Sequence, residues 1–159
     1  MKKKIILWIL VVSWMGLIFY FSSMDATKST SQSQGLIEST KIVQHHEKDL
    51  SVEEKEAYIE SLDRPVRKVA HGGIYFILGI LVFLALDCYN MNSKKLLLIS
   101  ILICFLYACS DEFHQLLING RSGEIRDIII DSFGAIIGIM IMYLIRRKKY
   151  VNNKGLKSK

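Results

Sequence analysis

Three cysteines, Cys88, Cys104 and Cys109, and one proline, Pro65, are all that 159 residues contain of either type. The cysteines follow no metal-ligand spacing. Cys104 and Cys109 lie inside one apolar run, and Cys88 lies beyond the end of another helix. That placement argues against a disulfide framework and for small apolar packing residues. No His-Glu-x-x-His occurs, so the pattern that puts two imidazoles and a base on one helix face is missing. No basic stripe is interleaved with aromatics, so a nucleic-acid partner is not expected despite the net charge of +6. No internal repeat is visible, which weighs against a proton-coupled transporter built from inverted halves. The chain instead has a mean hydropathy of +0.29 beside 23% charged residues. Apolar and charged residues must therefore be segregated along it, and its length suits one domain.

The segregation predicts membrane spans. Lys2, Lys3 and Lys4 precede an uncharged run, residues 5–21. Crossing a bilayer takes about 20 mainly apolar residues, and about 17 at the lower limit. The run exceeds the usual apolar core of a signal peptide, and Ser22-Ser23-Met24-Asp25-Ala26 is a poor cleavage site, so a retained anchor is expected. Further spans are predicted at residues 69–86, 96–118 and 126–145. The third crosses only if its helix runs on through Ser110 to Ile118 and stops at Asn119-Gly120. Asp63-Arg64-Pro65 reads as the start of the second helix.

The segment between the first two spans, residues 24–66, is polar. Leu36, Thr40, Val43, Glu47 and Leu50 recur at helical spacing, as do Val52, Ile59 and Leu62 behind a possible capping box, Ser51-x-x-Glu54. One or two short amphipathic helices are expected there, on the membrane surface or over the bundle. His45 and His46 are adjacent, so they diverge by about 100° on a helix and read as a solvated pair. The expected fold is all-α: a four-transmembrane-helix bundle over residues 1–150, with an extracytoplasmic, partly helical loop between helices 1 and 2. Residues 151–159 are a basic tail. Lys2–Lys4, Lys94, Lys95 and the seven basic residues from Arg146 onward fall on one side, against a single acid, Asp87. Both termini are therefore expected in the cytoplasm of a multi-pass cell-membrane protein.

The stretch from Ser110 to Asp131 packs seven formal charges and a histidine into 22 residues. At about 100° per residue, Lys68, His71, Tyr75 and Gly79 form one stripe on the second span. Asp127, Asp131, Gly134 and Gly138 form another on the fourth. On the third, Ser110, His114, Asp111, Gln115 and Glu112 spread over an arc of about 200°, leaving Phe113, Leu116 and Leu117 to lipid or a neighbour. Each stripe starts at the outer end of its helix, so the polar groups share one depth. Gly134-x-x-x-Gly138 suits close backbone packing, and Gly72, Gly73 and Gly79 could do the same. Trp8, Trp14, Tyr20 and Tyr143 are expected as lipid-facing or interfacial anchors.

These residues carry a family resemblance. Ser22-Ser23 closes the first span, and Lys68-x-x-His71-x-x-x-Tyr75 opens the second. Ser110-Asp111-Glu112-x-His114-Gln115, Gly120-Arg121-Ser122, Asp127 and Asp131-x-x-Gly134 follow. In this combination the chain resembles the VanZ-like family, over nearly everything except residues 24–66 and the tail. Asn119 stands where the family often has a proline. The resemblance implies a four-helix membrane fold and a link to glycopeptide (teicoplanin) tolerance, antibiotic resistance or envelope lipids. It also implies a lipid-headgroup activity of the kind proposed for related membrane-embedded folds.

The residue types fit that expectation. Arg121 offers a planar fork of donors for phosphate and Lys68 a point charge, with Tyr75, Gln115, Ser122, Arg126 and Asp131 as further binding groups. His71 and His114 can move a proton near neutral pH, and Asp111, Glu112 or Asp127 can orient an imidazole. The expected partner is a membrane lipid or a lipid-linked cell-wall precursor, hydrolysed or transferred at its phosphate. The alternative is a non-catalytic protein that binds a lipid or glycopeptide through the same groups. A metal site made of His71, His114 and a carboxylate has no diagnostic spacing, so no metal and no cofactor are expected.

Overall fold

The computed structural model describes residues 1–23, 52–118 and 124–157, and among these it contains helices and no strands. Four helices follow one another: α1 (Lys2–Ser22), α2 (Val52–Asp87), α3 (Ser93–Gln115) and α4 (Ile125–Lys157). Each contains a segment long and apolar enough to cross a membrane. The expected helices of residues 24–51, with His45 and His46, and the Gly120-Arg121-Ser122 turn lie outside the described residues.

α1 is apolar on all sides and buries only Val11, Ile18 and Ser22, one narrow stripe. Past Lys2, Lys3 and Lys4 this 21-residue helix is apolar on every face, which suits a bilayer, because lipid accepts the faces that the bundle does not. Its length at 1.5 Å per residue is about 31 Å, matching a hydrocarbon core of about 30 Å. Large apolar side chains remain exposed along the other helices too, among them Leu98, Phe113, Leu116, Leu117 and Phe133. Such belts are what a lipid-facing surface requires.

Three boundaries differ from the sequence expectation. α2 does not start at Asp63-Arg64-Pro65; it begins at Val52 and carries Pro65 in its interior. An internal proline removes one backbone bond and costs about 3 kcal/mol. Tyr58, Leu62 and Val66, spaced four apart across the proline, form one small apolar cluster that favours continuity. The flanking Glu53-Glu54-Lys55-Glu56-Ala57 run is also strongly helix-forming. The expected capping residue, Ser51, lies outside the described residues. α3 stops at Gln115, not Ile118. Leu117 and Ile118 instead donate backbone bonds three residues back, to His114 and Gln115, a tightened last turn. α4 likewise continues past the expected end of its span at residue 145 into the basic tail.

The α2–α4 contact is the closest in the bundle. A Cβ on Gly134 would strike the carbonyl oxygen of Gly72, one on Gly138 that of Phe76, and one on Gly79 that of Ala135. Small residues here let two backbones touch, the main device for helix association in lipid. Gly73 differs from the expectation: it faces open space. Around this seam Tyr75, Leu78, Val82, Phe83, Leu96, Ala108, Ala135 and Ile139 make the buried core.

One end of the bundle is closed by Arg146. Its Nε meets Asp87 Oδ1 at 2.7 Å, and its other nitrogens donate to Ser93 Oγ and the Met91 carbonyl, both at 3.1 Å. The α2–α3 turn there uses Asn90 at φ 52°, a left-handed position that asparagine tolerates. Asn92 then caps α3 by accepting from the Lys94 N–H at 3.1 Å. Trp8 donates to the Tyr89 hydroxyl at this end. Trp14 departs from its expected lipid-facing role, since its indole N–H donates to the Ile74 carbonyl at 3.0 Å. Of the basic residues expected together, Lys4, Lys94 and Arg146 meet at this end through these contacts and the Lys4–Tyr89 contact.

Candidate functional site

The other end collects the polar groups. Three helices reach it from different parts of the sequence: α2 at its Lys68–Tyr75 stretch, α3 at its last turn and α4 at its first two. α1 ends beside them.

The outermost layer is ionic. Lys68 Nζ lies 3.0 Å from Asp127 Oδ1 and 3.3 Å from Glu124 Oε2. Glu124 also ties α4 to α3, since its backbone N–H donates to Glu112 Oε2 at 3.0 Å. That bond satisfies one of the free donors at the start of α4. Arg126, expected as a further binding group, is exposed.

The next layer is buried. One ligating atom each from His71, Asp111 and Asp131 lie within 4.8 Å of one another. His71 Nδ1 stands 3.8 Å from Asp131 Oδ2. Asp131 is 0% exposed and Asp111 2%. Gln115, one turn along α3, donates to Asp111 Oδ2 at 3.4 Å. Tyr75 lies under this group, fully buried, within electrostatic reach of both aspartates and tilted against Tyr107 at a ring separation of 6.1 Å. Tyr107 in turn donates to the Met15 carbonyl at 2.6 Å, fastening α3 to α1.

The hydrogen bonding of this layer is incomplete. The Tyr75 hydroxyl, Asp111 Oδ1, Glu112 Oε1 and both Asp131 oxygens are buried with no hydrogen-bond partner among the described residues. A buried carboxylate oxygen without a partner loses about 1–3 kcal/mol, and more when charged.

His114 occupies a different flank. Its Nε2 lies 3.0 Å from Ser23 Oγ and its ring stacks on Phe19 at 4.2 Å. It therefore packs against the end of α1, outside the His71–Asp111–Asp131 group, so a metal site made of His71, His114 and a carboxylate, weighed and set aside from the sequence, is not the arrangement found. Arg121 and Ser122 lie outside the described residues. Sequence reasoning assigned no role to Glu124 or Ser23, the partners of Lys68 and His114. Both were visible as polar residues at the mouths of spans, but nothing in the spacing said which neighbour each would meet.

A polytopic helical membrane protein with a polar cluster at one mouth of its bundle is the class that fold and cluster define. The chain belongs to the VanZ/LLP1 family, whose model matches residues 7–146. No curated protein and no solved structure matches it.

Proposed function

We propose that this VanZ-like protein acts on phosphate-bearing lipid headgroups at the outer leaflet, with both termini in the cytoplasm. The basic residues at the Arg146 end support that orientation through the positive-inside rule. The observation that carries the reading is the convergence of His71, Asp131, Asp111, Lys68 and Asp127, from three separate helices, at one end of a membrane bundle. Structural ion pairs would serve a bundle no better than apolar residues, so their concentration at a single level favours a site. His71 is the group to take a proton from an attacking water, with Asp131 orienting the ring. The water oxygen bonds to phosphorus as the bond to the leaving oxygen breaks, and that oxygen takes up a proton. His114, held by Ser23, is the second imidazole available to supply it. Lys68, with Arg121 of the connecting sequence between α3 and α4, is the source of positive charge for the phosphate. The family link to glycopeptide tolerance fits a lipid-linked cell-wall precursor as substrate.

The test is incubation of purified protein with headgroup-labelled lipids, undecaprenyl-linked precursors among them. Turnover by wild type that falls about 100-fold or more in His71→Ala is the expected result for a general base. No turnover across several lipid classes contradicts the proposal. So does turnover that survives His71→Ala combined with His114→Ala. Binding without turnover, retained in His71→Asn, selects the non-catalytic reading.

A further inference from the structure

We infer that His71, Asp111 and Asp131 hold a divalent metal ion, and the donor set suits Zn²⁺ or Mn²⁺. One imidazole and two carboxylates, from α2, α3 and α4 respectively, offer atoms within 4.8 Å of one another. Around an ion at about 2.1 Å, neighbouring ligand atoms stand about 3–3.5 Å apart. His71 and Asp131 are already at 3.8 Å, so small side-chain rotations close the site.

A second observation, independent of spacing, points to a ligand. Among the described residues, both oxygens of Asp131, Oδ1 of Asp111 and the Tyr75 hydroxyl are buried without hydrogen-bond partners. Asp131 and Tyr75 are 0% exposed. Two adjacent buried carboxylates repel, and each lacks a donor for at least one oxygen. A cation between them removes both penalties, and Tyr75 is placed to meet a water or substrate oxygen on that ion. Carboxylates alone would suit Mg²⁺ or Ca²⁺; the imidazole shifts the preference to first-row metals.

Charge supports the same conclusion. The described cluster sets Lys68 against five carboxyls, Asp111, Glu112, Glu124, Asp127 and Asp131, and Lys68 is already bridged to two of them. An anionic phosphate would meet net negative charge there. A divalent ion offsets it and offers an open coordination position to a phosphoryl oxygen or the attacking water; with the ion bound, His71 is its ligand in place of the base role given above. The site itself stands on geometry; its use on a headgroup rests on the function proposed above.

The experiment uses the full chain in detergent with no substrate lipid. After stripping with chelator, the protein is titrated with Zn²⁺ and, separately, Mn²⁺, and bound metal and thermal midpoint are measured. We expect one equivalent bound and a raised midpoint for wild type. We expect at least a tenfold loss of affinity in Asp131→Asn and in His71→Ala, and unchanged binding in His114→Ala, which the site excludes. No stoichiometric binding by folded wild type overturns the inference. So does binding that persists in Asp131→Asn and Asp111→Asn, or that is lost in His114→Ala. The lipid assay is read separately, so a metal-free protein that still turns over lipid refutes this site and leaves the headgroup reading intact.

Discussion

Five glycines of identical chemistry lie in different surroundings on α1, α2 and α4, and replacing each by alanine separates packing from propensity. At Gly134, Gly138 and Gly79 the added methyl would collide with a carbonyl of the facing helix. Backbone cannot rotate out of the way as a side chain can, so α2 and α4 must separate. Overpacking of this kind costs about 1–3 kcal/mol, and the Gly134 and Gly138 contacts are one turn apart, so their double variant should exceed either single one. At Gly73 and Gly16 nothing lies within 4 Å. There the only effect is the removal of a flexible residue from a helix interior, a gain of up to about 1 kcal/mol. Equilibrium unfolding in mixed detergent measures all five. The separation also reaches the polar cluster, because Gly134 lies three residues from Asp131 and touches the carbonyl of Gly72, next to His71. Gly134→Ala should therefore weaken metal binding and lipid turnover while Gly73→Ala leaves both unchanged. Equal destabilisation by Gly73→Ala and Gly134→Ala would refute the packing geometry.

Arg146→Ala removes the clamp on Asp87, Ser93 and Met91; with its partners half-exposed, a loss of about 1–2 kcal/mol is expected in the same unfolding assay. Trp14→Phe keeps the ring volume approximately but deletes the donor to Ile74, which should cost about 1 kcal/mol; no change would mean that Trp14 faces lipid. Tyr75→Phe removes a buried hydroxyl without a hydrogen-bond partner among the described residues, so the metal-free protein should be as stable or slightly more stable. If that hydroxyl meets a metal-bound water or substrate, the same variant lowers turnover, measured as a fall in kcat on labelled lipid.

Much of the architecture was legible because a bilayer enforces it. Uncharged runs of sufficient length become spans, and about 100° per residue put Lys68, His71, Tyr75 and Gly79 on one face, where the bundle places them. The glycines of α4 announced a close approach, and the approach is there. Pro65 misled because a start signal and an interior proline look alike unless the preceding residues are known to pack, as Tyr58, Leu62 and Val66 do. Trp14 looked like an interfacial anchor because α1 is apolar all round and nothing in it marks an inward face. The partners of α3 were the hardest to read. Its polar groups cover more than half the helix circumference, so rotation alone decides who meets whom. Asp111 and Gln115 turned towards α2 and α4, while His114 turned to Ser23 and Phe19.

The account depends on the polar mouth opening to the outside of the membrane. In a background with Cys88, Cys104 and Cys109 replaced by alanine, Glu124→Cys and Lys94→Cys are exposed to a membrane-impermeant maleimide on intact cells. Labelling of Glu124→Cys without lysis, and of Lys94→Cys only after it, is the predicted result. The reverse pattern would put the cluster in the cytoplasm and contradict an outer-leaflet site.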